Sequence, residues 1–188
     1  TVVATNTVGA SISSSASNAV TPATIPGAPT NVTATEGNTQ ATVTWSGPSS
    51  TGGSTITGYE VTASPGGQTV TVNGSTHTAT FTSLTNGTSY TFTVIATNSV
   101  GDGAASSTSN TVTPATVPGA ATNVYAISGN TQATVTWSAP LSTGGSSITS
   151  YKVTASPGGQ TVTVDGSIRM ATLTSLTNGT SYTFTVVA

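Results

Sequence analysis

The chain contains no cysteine and only one histidine, His77, and charged residues make up 3% of its 188 positions. Without cysteine there is neither a disulfide framework nor a thiolate metal site. Two cations, Lys152 and Arg169, stand against Glu36, Glu60, Asp102 and Asp165. Such sparse charge offers no field for nucleic acid or anionic lipid, so nucleic acid is excluded as a partner. His77 and the four acids lie far apart in the sequence. That spacing supplies no metal cluster, no Ser–His–acid triad and no paired carboxylates for glycoside hydrolysis, so no metal, no cofactor and no enzymatic activity are expected. The glycines at 101 and 103 fall among turn residues, not ahead of a helix, which removes a phosphate cradle. No apolar run approaches the roughly 18 residues of a membrane span, so no membrane insertion is expected. No signal peptide precedes Thr1, so the sequence is expected to be a stretch from within a longer chain.

What the chain does have is threonine and valine in strict alternation. Disordered segments are poor in β-branched residues, so this pattern reads as folded and β-rich. Self-similarity is plain as well. Trp45 and Trp137, Tyr59 and Tyr151, Leu84 and Leu176, and Pro26 and Pro118 are each separated by 92 residues. Thr1–Ala4 match Thr93–Ala96, and Thr185–Ala188 fall at the same phase again. A period of that length is too long for a solenoid coil and suits a small independent domain. The expected organisation is a terminal strand of a preceding repeat at 1–24, a complete repeat at 25–116, and a second repeat lacking its last strand at 117–188.

Seven strands are expected in the complete repeat: Thr30–Thr35, Gln40–Trp45, Thr57–Ala63, Thr69–Val72, Thr78–Thr82, Ser89–Thr97 and Ser107–Thr113. Ala41, Val43 and Trp45 share one face of the second strand, and Tyr90, Phe92, Val94 and Ala96 share one face of the sixth. Gly52-Gly53, Pro65-Gly66-Gly67, Asn73-Gly74 and Asn86-Gly87 mark turns, where glycine and asparagine tolerate positive φ. Sequons at Asn31, Asn73, Asn86 and Asn178 mostly coincide with such turns, which structure alone explains. No segment has helical periodicity.

Several features together resemble the fibronectin type III domain. They are the Pro26…Pro29 lead-in, Trp45 on the second strand, Gly52-Gly53…Ile56-Thr57-Gly58-Tyr59 before and into the third, Leu84-Thr85-Asn86-Gly87-Thr88-Ser89-Tyr90 ahead of the sixth, and Asn98…Gly101 after it. The resemblance spans the whole chain and implies an all-β fold of tandem seven-stranded β-sandwiches. It also implies a tyrosine corner at Tyr90 and Tyr182, each hydroxyl bonding upstream backbone. The family's integrin-binding Arg-Gly-Asp is absent, because Val100 precedes Gly101-Asp102.

The function expected from these readings is structural: a repeat segment of an extracellular or cell-surface stalk, adhesin or fibre. Prolines at 22, 26, 29, 114 and 118 keep the joints short and semi-rigid. A spacer module of a secreted polysaccharide-degrading enzyme is the alternative. Partners are expected to be other copies of the repeat, head to tail or side by side. Carbohydrate is a weaker candidate, since Tyr125 alone among the aromatics falls outside the inward phases. Because the second repeat stops after its sixth strand, two arrangements are open: a window on a longer array, or subunits that complete one another by strand donation. The duplicated Thr-Val-Val-Ala favours the first.

Candidate repeat–repeat contacts come from differences between the repeats. Tyr125, Ile127, Ile168 and Met170 stand where the first repeat has Thr33, Thr35, Thr76 and Thr78, and all four should share one outer face. Val124, Ala126, Ala171 and Leu173 should point inward. Glu60 is matched by Lys152, and His77 by Arg169, giving opposite signs at the first of these pairs.

Overall fold

The computed structural model describes all 188 residues and contains twelve strands and no helix. The first six are β1 (Thr30–Gly37), β2 (Gln40–Ser46), β3 (Ile56–Ser64), β4 (Thr69–Asn73), β5 (Thr78–Phe81) and β6 (Thr91–Asn98). They form two antiparallel sheets, ordered β1-β2-β5 and β4-β3-β6. The other six repeat the arrangement: β7 (Thr122–Gly129), β8 (Gln132–Ser138), β9 (Ser150–Ser156), β10 (Thr161–Asp165), β11 (Met170–Thr174) and β12 (Thr183–Val187). Here the sheets run β11-β8-β7 and β10-β9-β12.

Period-two alternation makes these sandwiches. On β2, Ala41, Val43 and Trp45 are buried while Thr42 and Thr44 are exposed, so one face enters the core and the other meets water. Two separate cores result. One gathers Trp45, Tyr59, Phe81 and Phe92, the other Trp137, Tyr151, Leu173 and Val186. Both tryptophans are buried, and each packs on the tyrosine of its own sandwich at a ring separation of 5.4 Å.

The tyrosine corners are in place. The Thr85 N–H donates to the Tyr90 hydroxyl at 3.2 Å, and the Thr177 N–H to that of Tyr182 at 3.1 Å. Tyr90→Phe keeps the ring and removes one acceptor, so a loss of about 1 kcal/mol is expected in urea titration of the first sandwich. A variant as stable as the parent would show that water serves Thr85 equally well.

The segment expected as a seventh strand, Ser107–Thr113, lies beside β6 but is not a regular strand. Gly103, Ser106, Ser109 and Val112 donate their N–H groups to the carbonyls of Ala96, Val94, Phe92 and Tyr90. Three residues on this segment thus advance against two on β6, which amounts to a bulge at every step. A carbonyl cannot stay in register under that mismatch. Serine hydroxyls substitute for it: the Val94 N–H donates to Ser106 Oγ at 2.9 Å and the Phe92 N–H to Ser109 Oγ at 3.0 Å. At Val112 and Tyr90 a regular antiparallel pair is restored. Asn110 then closes the seam between the sheets, accepting from the Ala34 N–H at 2.9 Å and donating to the Ala34 carbonyl at 3.0 Å.

Candidate functional site: the surfaces between repeats

Three surfaces bear on how one repeat meets another: the joint, the outer face of the second sandwich, and its open edge. At the joint, Pro114 is fully buried and its carbonyl accepts from the Gly87 N–H at 2.9 Å. Thr116 then donates to the Gly144 carbonyl and Gly119 to that of Ser142. The linker is therefore bonded at one end to the sandwich it leaves and at the other to the one it enters. A second contact reinforces it. A side chain at Gly145, where φ is +94°, would place Cβ 2.5 Å from the Gly87 nitrogen, so the turn at 86–87 and the loop at 144–145 meet backbone to backbone.

The same bonds occur one period earlier. Thr24 donates to the Gly52 carbonyl and Gly27 to that of Ser50, matching Thr116 and Gly119. Asn98 adds a clamp, its amide donating to the carbonyls of Thr24 at 2.7 Å and Thr51 at 2.8 Å. The turn asparagines are similarly occupied. Asn86 accepts from the Thr39 N–H and donates to Asn38, and Asn178 serves Thr131 and Asn130 in the same way. Their presence at turns thus has a structural cause.

On the outer face, Tyr125, Ile127, Ile168 and Met170 are all exposed in the single chain. Register brings two of them into one row, since Tyr125 and Met170 both pair with Thr136 from opposite sides. Ile127 sits in the row of Thr134, and Ile168 just ahead of β11. The equivalent row in the first sandwich is Thr33, Thr44 and Thr78, with the first two hydroxyls 2.9 Å apart. Glu60 and Lys152 are not part of this patch. They lie exposed on β3 and β9, in the other sheet of each sandwich.

The pairing of His77 with Arg169 has a packing role that charge counting missed. His77 Nε2 lies 3.3 Å from the Tyr59 hydroxyl, and the Arg169 guanidinium stands 4.7 Å over the Tyr151 ring. Each side chain packs on the core tyrosine of its sandwich. Burial pushes the Tyr59 hydroxyl above the usual phenol range. Asp165, the counterpart of Asn73, is held below the usual carboxylate range by the hydroxyl and N–H of Ser167. It preserves the turn made by Asn73 with Ser75.

At the open edge, one expectation needs correction. Val124 and Ala126 are expected to point inward, yet both are exposed. Their alternation is intact, and Ala34, the counterpart of Ala126, is covered in the first sandwich by Asn110. A cleft of about 370 Å³ in the second sandwich has Ala126, Leu176, Tyr182 and Phe184 in its walls.

Two sandwiches of this topology, with both tyrosine corners, decide the relationship, and the fibronectin type III domain model matches residues 27–112 and 118–188. The chain belongs to the fibronectin type III family. Among curated proteins, these fibronectin type III repeats are similar to Endoglucanase B of Cellulomonas fimi, with 36% identity over 162 residues. That match covers 80% of this chain but only 15% of the endoglucanase. Among solved structures, the chicken CNTN1 fragment comprising its first three fibronectin domains is 25% identical, with a TM-score of 0.43 over 87% of this chain and 62% of that one. Titin kinase with its flanking domains is 20% identical, with a TM-score of 0.42 over 60% and 27% of the two chains.

Proposed function

We propose that these fibronectin type III repeats form a non-catalytic, semi-rigid rod within an extracellular stalk, adhesin or fibre. The joint carries this reading. Linker bonds that recur after 92 residues at Thr24 and Thr116, and at Gly27 and Gly119, favour one fixed step from repeat to repeat. A constant step turns tandem sandwiches into a rod whose length scales with their number. The sparse charge and threonine-coated faces suit an exported surface.

The second reading, a spacer in a secreted polysaccharide-degrading enzyme, is favoured by the similarity to Endoglucanase B. Flanking sequence separates the two. A neighbouring catalytic domain supports the spacer, and a long array ending in an anchor supports the stalk. Side-by-side contact through Tyr125, Ile127, Ile168 and Met170 belongs to the stalk reading, with the apolar row packing on another repeat.

Rigidity of the joint is tested by Gly145→Val. The new side chain would collide with Asn86 and Gly87, and residual dipolar couplings are expected to show the two sandwiches reorienting independently while both cores persist. Gly159→Val carries comparable backbone strain, at φ +68°, but meets nothing within 4 Å and should leave the joint fixed. A parent chain whose sandwiches already tumble independently would overturn the rod.

A further inference from the structure

We propose that the solvent face of sheet β4-β3-β6 in one copy of this chain docks on the solvent face of β10-β9-β12 in a second copy, with Lys152 entering a notch beside Glu60. The contact goes beyond the rod reading, whose fixed step is set at the joint, so either can fail while the other stands.

The notch comes from a missing side chain. Gly58 occupies an outward position on β3, between Asn73 of β4 and Thr97 of β6. Without a Cβ there, the sheet surface dips into a hollow of about 250 Å³, with Glu60, Thr71, Ile95, Thr97 and Asp102 among its walls. Glu60 lies two residues along β3 and is exposed on the same face. Asp102 is fixed at the rim, because the Thr97 hydroxyl donates to its Oδ1 at 2.6 Å.

The second sandwich differs at the two positions that matter. Ser150 stands where the first sandwich has Gly58, and Lys152 where it has Glu60. One face therefore offers an acidic hollow and the other a basic knob. Of the two cations, Arg169 is engaged at home, over the Tyr151 ring and on the carbonyls of Gly166 and Ile168. Lys152 is left exposed at the centre of its sheet, on β9. Its aliphatic stem can lie along the half-buried Ile95 while its ammonium reaches Glu60 and the threonine hydroxyls.

Charge decides which faces meet. Two first-sandwich faces would set Glu60 against Glu60, and two second-sandwich faces Lys152 against Lys152. The unlike combination alone is attractive, so the contact is heterologous, between the first sandwich of one copy and the second of another. Asp165 is the other charge on the Lys152 face, on β10. With β10 laid over β4, it lies across the width of the sheet from Asp102, which adjoins β6. An exposed ion pair contributes little affinity, so this one acts mainly by selecting the partner face, and the threonine-coated surfaces supply the area.

Sedimentation of the 188-residue chain across a concentration series, at low and high salt, tests the proposal. Association is expected to weaken as salt screens the pair. E60K and K152E each place like charges together and should raise the dissociation constant at least about fivefold. An equimolar mixture of the two variants restores opposite charges at the contact and should associate as the parent does. Both side chains are exposed, so the sandwiches should stay folded, which far-UV circular dichroism verifies. A parent chain that is monomeric at every concentration and salt overturns the proposal. So does a mixture that associates no better than its components, and so does association that survives E60K but is lost in Y125T/M170T, which would assign the contact to the apolar row.

Discussion

Phe92→Ala is expected to destabilise the first sandwich by about 3–5 kcal/mol and to leave the second unchanged. Phe92 is completely buried, and its ring lies 4.9 Å from that of Phe81. These two residues come from different sheets, β6 and β5, so the contact holds the sandwich shut. Truncation removes most of that contact and leaves a cavity that the surrounding strands, fixed by their ladders, cannot collapse to fill. The second sandwich has its own core, centred on Trp137, Tyr151 and Leu173, and shares none of it. Hydrogen exchange read separately on peptides covering β2 and β8 distinguishes the units. Faster exchange in both would show that they unfold together, and the description as two independent cores would fail.

The second large effect is expected from removing the serine hydroxyls beside β6. Ser106→Ala with Ser109→Ala strands the N–H groups of Val94 and Phe92, each of which has the hydroxyl as its acceptor. A buried donor left unpaired costs about 1–3 kcal/mol, so the pair should cost about 2–6 kcal/mol. Ser107→Ala is the control. Ser107 is exposed and should change stability by less than about 0.5 kcal/mol. Amide exchange at Phe92 and Val94 should rise in the double variant before any other part of the sandwich responds. Unchanged exchange at these two amides would mean that a backbone carbonyl or water replaces the hydroxyl without loss.

This serine seam also bears on how the edge of the first sandwich avoids association. A bulge at every step leaves no regular row of donors and acceptors for another strand to read.

Some of this organisation is visible in single residues and their spacing. Alternation on β2 and β6 places Trp45, Val43, Phe92 and Val94 inward, because a pleated strand sends successive side chains to opposite faces whatever its partner. The interval between Trp45 and Trp137 gives two sandwiches for the same reason, since a repeated pattern repeats its core. The corners at Tyr90 and Tyr182 are what the resemblance to the fibronectin type III domain implies, and each bond, to Thr85 or Thr177, spans only five residues.

The apolar row on the outer face was half legible. Strand alternation puts Tyr125, Ile127 and Met170 outward, but the direct alignment of Tyr125 and Met170 across Thr136 requires the register of three strands. The exposure of Val124 and Ala126 could not be read from alternation either, because cover at such positions depends on a segment packed from outside their own sheet, as Asn110 covers Ala34.

By itself, then, the sequence determined the class of fold, the number of sandwiches and most of the inward residues, all of which follow from local periodicity. Tertiary structure decided the serine seam and the joint. Each depends on backbone groups distant in the chain coming face to face: Asn110 with Ala34, Gly145 with Gly87, Ser109 with Phe92. A bulged segment advances three residues against two, so its buried positions follow neither the strand nor the helix period, and only the partner strand fixes which hydroxyls it needs.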